Sequence, residues 1–323
     1  MAIKQLFLPA WLVRKLPALR KVSWLFEAFF VKSLAKLIRS LSPERAARMA
    51  HAAFRVIGPL CRFATKIRRN LGLAFPQKNE REIKRLTRQA CGNLGIAAVE
   101  LVLSARLWAE REQRIEIVME DGVDLVSYRN RPAVLVTGHV GAWQISTFVA
   151  EAYGLRVTSV YAPEENPYLR EYFARLRETL PCQWISRNGC MRVLTKELKQ
   201  GNVIGLVSDT RMDSGEPLSF FGVPTPSNTT AARLALRHNC DFVPVRAERL
   251  PGMRFRITVC RPIRPDDPDA AGAEQAGQMT QKLLDHFEAW IREDPDQWMC
   301  FGRRWPHEAY VNESTADDDT GKP

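Results

Sequence analysis

The chain has 323 residues, 46% hydrophobic and 26% charged, which is enough apolar material for a large core and excludes a disordered polypeptide. Its formal charge of +11 is unevenly spread: residues 1–70 hold 15 lysines and arginines against two acids, so the remaining residues sum to −2. A basic N-terminal region beside a near-neutral remainder points either to contact with an anionic surface or to a solvated face. With no aromatic-basic recognition motif, it does not point to nucleic acid as a partner.

Seven scattered cysteines (61, 91, 182, 190, 240, 260 and 300), odd in number and without a Cys-x-x-Cys pair, suit free thiols in a reducing compartment. The five histidines have no metal-ligand spacing from one another or from a cysteine, so no metal is expected.

Residues 1–41 read as a basic amphipathic segment. No stretch reaches the roughly 18 to 20 apolar residues that cross a bilayer. The best candidate, Val22 to Arg39, contains Glu27, Lys32 and Lys36, with Leu25, Phe29, Phe30, Leu34 and Ile38 falling mainly on one side of a helix. Two readings stay open: a helix in the membrane interface with snorkelling cations, or one packed on the domain's own core. Neither carries the small-residue cleavage site of a secretory signal.

Residues 42–310 are expected to form one domain, with a helical collar over 42–114 and an α/β part over 115–310. In the collar, apolar residues recur three and four apart from Ala46 to Phe63 and from Ile83 to Leu103, with Pro76 between. The wholly apolar run Ala133 to Val136 then predicts a parallel strand covered on both faces. Helix Trp143 to Tyr153, strand Leu155 to Tyr161, helix Tyr168 to Leu180, helix Met191 to Gln200, strand Val203 to Val207 and helix Thr229 to His238 follow. Strands Phe242 to Glu248 and Phe255 to Val259, as a possible antiparallel pair, and helix Gly277 to Arg292 complete the α/β class: a mainly parallel sheet flanked by helices. The acidic tail 311–323 reads as disordered.

In open parallel sheets, ligands bind beyond the carboxyl ends of the strands. His139 and Asp209 both follow such ends. His139 lies in GHVGAWQ, where Gly138 and Gly141 permit a tight turn, and an imidazole there can take a proton from a hydroxyl near neutral pH. The ordinary reading, a histidine with no catalytic part, stands beside this one.

His139 with an amide five residues on, then RLR, SRNG, SDTRMDSGEPLSFFGVPTPSNTTAARLALR, FVPVRAE and PDQWMCFGRRW, resemble in order and spacing the late acyltransferases of lipid A biosynthesis. These are the lauroyl and myristoyl transferases of the wider lysophospholipid-acyltransferase-like superfamily, and the likeness runs from about Leu41 to Tyr310. The resemblance implies acyl transfer from acyl carrier protein to a lipid A precursor at the cytoplasmic face of a bacterial inner membrane. On it, His139 matches the catalytic histidine of a His-x4-Asp/Glu motif, Arg175 and Arg187 match arginines of the second block, and Asp209 matches the acid of the third. The N-terminal region matches one that often includes a membrane anchor, here weak.

One position departs from the pattern. Gln144 stands where the family has an acid, and an amide can accept the second imidazole N–H without supplying charge. Three explanations are open: another acid such as Glu165 or Asp209 approaches His139, Gln144 suffices, or the chain is a degenerate, membrane-binding member. Ornithine lipids and phospholipids are further acceptor classes.

In the expected reaction the acceptor hydroxyl attacks the thioester directly, so neither a protein nucleophile nor a cofactor is needed. Backbone N–H groups at Gly141 or at Arg187–Asn188–Gly189 are candidates for stabilising the oxyanion. Arg175, Arg187 and Arg211 are candidates for gripping phosphate, with surface ion pairing as the plain alternative. Trp298, Arg303, Arg304 and Trp305 suit either a headgroup layer or packing against the sheet.

Overall fold

The computed structural model describes residues 17–311; the start of the basic segment and the tail beyond residue 311 lie outside them. Helix α1 (Pro17–Ser40) turns its polarity inside out. Ser23, Glu27, Ala28, Ala35 and Ile38 are buried, while Val22, Leu25, Phe26, Phe29, Phe30, Leu34 and Leu37 face outward. The buried carboxylate is satisfied by Ser23 Oγ at 3.4 Å and by Asn166 Nδ2 at 3.2 Å, and that amide also donates to the Trp24 carbonyl at 2.9 Å. These polar contacts dock the helix together with buried Ala28, Ala35 and Ile38, and its larger apolar side chains lie on the exposed side.

Helix α2 (Pro43–Ile57) begins at a Ser42 cap with proline in its first turn. The expected helix through Phe63 breaks at Gly58–Leu60, because Pro59 has no N–H to give a continuing helix. Helix α3 (Arg62–Ala74) resumes after it. Helix α4 (Glu80–Val102) starts with a reciprocal Asn79–Glu82 capping box and lies close along α2. At Gly95 a β-carbon would sit 2.6 Å from the Ala50 carbonyl oxygen, so glycine sets how near these helices come.

Two short helices then lead to strand β1 (Ile115–Met119), followed by β2 (Ala133–Thr137), β3 (Val157–Tyr161), helix α5 (Pro167–Arg177), β4 (Gln183–Ser186), helix α6 (Cys190–Lys199) and β5 (Val203–Val207). A hairpin of β6 (Arg211–Phe220) and β7 (Val223–Ser227), helix α7 (Thr230–Arg237), β8 (Asp241–Leu250), β9 (Arg254–Val259) and helix α8 (Gly272–Glu293) complete the main elements. Seven strands form one sheet in the order β1-β9-β8-β2-β5-β3-β4. All neighbours are parallel except β8 and β9, which pair antiparallel.

Alternate residues of β2 feed two cores. Val134 and Val136 join α3, α7 and α8, while Ala133 and Leu135 join the far ends of α2 and α4. This two-sided cover explains why the strand is apolar from Ala133 to Val136. Phe287 of α8 is wholly buried in the first core, where truncation to alanine costs about 3–5 kcal/mol.

The sequence pattern did not anticipate β1, β4, β6 or β7. These strands are partly or largely exposed, and the hairpin carries glycine and proline, so neither alternation nor a continuous apolar run marks them. The expected helix Trp143 to Tyr153 is instead a 3-10 turn, Ile145–Thr147, followed by one helical stretch, Phe148–Ala152.

Candidate active site

Strands β2 and β5 run side by side in register, with Thr137 opposite Val207. His139 and Asp209 each lie two residues further on, and the Ser208 N–H binds the Thr137 carbonyl at 2.9 Å, carrying the pairing past the strand ends. Across an interstrand gap of about 4.8 Å the two side chains meet, with His139 Nδ1 2.7 Å from Asp209 Oδ1. Asp209 is buried, whereas the His139 side chain keeps 23% of its surface. Its Nε2 has no hydrogen bond to the described residues.

Burial alone would raise the Asp209 carboxyl. The charge of His139, its ring and backbone hydrogen bonds, and the charge of Arg304 outweigh that and hold the group below the usual carboxylate range. The pair is thus a carboxylate facing the ring, which favours the tautomer with its proton on Nδ1 and leaves Nε2 as the acceptor.

The loop bearing His139 is stapled from two sides. The Met299 N–H binds the His139 carbonyl at 2.8 Å, and the Gly141 N–H binds the Gln297 carbonyl at 3.1 Å. The Ala142 N–H binds the Ala247 carbonyl at 2.8 Å. Gly141 has φ +61, and a β-carbon there would strike the Ala247 oxygen, so both backbone shape and space demand glycine. The buried ion pair of Arg249 with Glu100 supports the same staple, because Arg249 Nη1 also donates to Gln297 Oε1 at 2.5 Å.

Several sequence-derived candidates lie elsewhere. The Gln144 amide donates to the Ala97 carbonyl of α4 at 3.3 Å and does not partner His139; the turn at residues 145–147 aims it that way. Glu165 is exposed and has no hydrogen bond to His139. The Gly141 N–H is already used by Gln297, so it is no oxyanion donor. In the other candidate loop the Arg187 N–H binds the Tyr161 carbonyl at 2.9 Å, and the Asn188 N–H binds Ser186 Oγ at 3.3 Å.

Arg187 is exposed at the end of β4, with β5 and β3 between that strand and β2. Arg175 is exposed and paired with Glu171 one helical turn away. Its neighbour Arg177, about 200° round the helix, instead pairs with buried Glu164 and stacks 4.2 Å from the Tyr161 ring at the end of β3. Arg211 donates to the Trp305 carbonyl at 2.7 Å and pairs with Asp213 at 2.6 Å, so its guanidinium anchors the C-terminal segment rather than standing open for phosphate.

Arg304, Trp298 and Trp305 are buried packing residues, not headgroup contacts. Arg304 donates to Thr225 Oγ1 at 3.1 Å and Ser227 Oγ at 3.2 Å, and lies 4.6 Å over the Phe220 ring. Sequence reasoning passed over Asn70 and Arg249. Asn70 carried a signal, a polar residue within the apolar stripe of Ile67, Leu71 and Ala74.

A histidine backed by a buried carboxylate at the carboxyl edge of a parallel sheet is an arrangement able to take a proton from a ligand bound there, as enzymes of group transfer require. Comparison with known sequences makes the class specific. The chain belongs to the bacterial lipid A biosynthesis acyltransferases, whose family model matches residues 14–307, and it is accordingly a lipid acyltransferase. Among solved structures, the 1-acyl-sn-glycerophosphate (LPA) acyltransferase PlsC from Thermotoga maritima is similar at 12% identity, over 78% of this chain and 98% of that one, with a TM-score of 0.35. No curated protein matches the chain.

Proposed function

We propose that the protein moves a fatty acyl chain from acyl carrier protein onto a hydroxyl of a lipid A precursor or related glycolipid, at the cytoplasmic face of a bacterial inner membrane. The contact of His139 Nδ1 with Asp209 Oδ1 at 2.7 Å carries this reading, because it leaves Nε2 to accept a proton. The acceptor hydroxyl gives its proton to Nε2 while its oxygen attacks the thioester carbonyl. The tetrahedral intermediate then collapses, the carbon–sulfur bond breaks, and the thiolate of the carrier takes the proton back from the imidazolium. Asp209 stabilises the imidazolium between the two steps, the role for which Gln144 has no charge.

Membrane association is part of the proposal. No described helix is long and apolar enough to cross a bilayer. The outward stripe of α1 and exposed Met49, Val56, Ile57 and Leu60 favour a protein lying on the surface, with their apolar side chains in the interface.

The test is acyl transfer by purified protein from acyl carrier protein to a lipid A precursor, read by mass spectrometry. The native chain should add one acyl group, and His139→Ala should add none while keeping its fold. Normal turnover by that variant would overturn the mechanism. Transfer to a phospholipid or ornithine lipid alone would overturn the choice of acceptor.

A further inference from the structure

A second site lies on the outer side of the segment that carries Arg304. Arg62, Lys66 and Arg69 fall on one face of α3, at spacings of four and three residues, and with Arg303 they line a groove of about 230 Å³. Its lining contains no carboxylate, and none of the four cations has an ion pair among the described residues. Like charges held so close repel one another, and an anion in their midst reverses the sign of that interaction.

The groove is built on rigid ground. Its buried floor is Asn70, whose amide donates to the carbonyls of Cys300 at 3.1 Å and Gly302 at 2.8 Å. Tyr310 closes the end, donating to Asn70 Oδ1 at 2.6 Å and accepting from the backbone N–H groups of Arg304 and Trp305. These bonds fix the segment that presents Arg303 outward while Arg304 turns in toward Asp209.

The neighbourhood says which anion. Leu60, 86% exposed, stands two residues before Arg62, and Val56 and Ile57 continue the apolar surface along α2. A cationic groove beneath an apolar rim fits a molecule whose charged group and hydrocarbon lie side by side, which is a lipid. Three arginines and a lysine can surround a phosphomonoester from several sides, and each guanidinium can bind two of its oxygens.

We propose that this groove binds the phosphomonoester headgroup of a lipid at the membrane surface. That this lipid is the phosphorylated acceptor rests on the acyl-transfer reading; the groove itself does not.

The experiment is co-sedimentation of the full chain with phosphatidylcholine vesicles, carrying either phosphatidic acid or phosphatidylglycerol at matched surface charge. The native protein should bind the phosphatidic acid vesicles about tenfold better, as several charge-assisted contacts together allow. Arg62→Ala/Lys66→Ala/Arg69→Ala should lose that preference. Equal binding by the native protein, or an undiminished preference in the variant, overturns the proposal.

Should the triple variant unfold, the exposed pair Arg62→Gln/Lys66→Gln is read the same way. A raised KM for acyl carrier protein with the vesicle preference intact would make the groove a protein dock and overturn the lipid assignment. His139→Ala should keep the preference while losing transfer. A native chain with the preference and no transfer would therefore sink the acyl-transfer reading and leave the groove standing.

Discussion

Asp209 Oδ1 lies 2.7 Å from His139 Nδ1 because the two residues occupy the same position past the ends of neighbouring in-register strands. The acid that faces the imidazole therefore comes from seventy residues downstream, and the amide five residues downstream, Gln144, binds the Ala97 carbonyl instead.

That arrangement separates two substitutions. Asp209→Asn should lower kcat by about 10² to 10⁴ with KM little changed, since the ring loses its charge partner and its fixed tautomer. Gln144→Ala should cost less than about tenfold, because it removes one long hydrogen bond to a carbonyl. Steady-state kinetics on both variants checks the contrast, and the reverse order of effects would restore Gln144 as the partner.

Acid should destabilise the protein through its buried carboxylates. Asp209 is held low as described, and in Asp241 burial is outweighed by hydrogen bonds from Arg264 and Tyr128. A carboxyl whose folded pKa lies below its unfolded value of about 3.9 contributes stability that is present above that value and lost as pH falls through the folded one. The urea midpoint should therefore drop steeply below about pH 4. In Asp209→Asn the slope over that range should be shallower.

Glu100 and Arg249 brace the staple under His139. Both are buried and bonded through two nitrogens, so Glu100→Ala leaves a buried guanidinium with Gln297 alone. The expected loss is about 3–5 kcal/mol of stability, measured by urea denaturation. Activity below the melting range should also fall, since Gln297 receives the Gly141 N–H through its carbonyl.

The apolar surface offers a fourth check. Phe29 and Leu60 are among the most exposed large side chains, at 71% and 86%. Burying each in an interface is worth about 1.5–3 kcal/mol, so Phe29→Ser/Leu60→Ser should weaken vesicle partitioning at least about tenfold. Thermal stability should be unchanged. A variant that partitions normally would remove these residues from the membrane-facing surface.

Much of this arrangement can be read before folding. The apolar run of β2, the alternation of strand and helix and the family blocks are local, and local propensity and periodicity report them directly. The positions of His139 and Asp209 after strand ends are legible for the same reason. Whether Arg175 and Arg211 grip phosphate or pair at the surface is not written locally, because charge type does not say which face of an element is covered. Arg177, two positions from Arg175, is the one that turns inward, and Arg211 is spent on the Trp305 carbonyl.

The chain order alone thus dictated the class of fold, the basic N-terminal region and the residues capable of proton transfer. Tertiary structure chose among them. Insertion of β5 between β2 and β3, which no short-range pattern encodes, made Asp209 rather than Gln144 the neighbour of His139. Docking α1 through Glu27 and Asn166 likewise turned its phenylalanines outward. Both outcomes depend on which distant surfaces meet, and that follows from the packing of the whole chain.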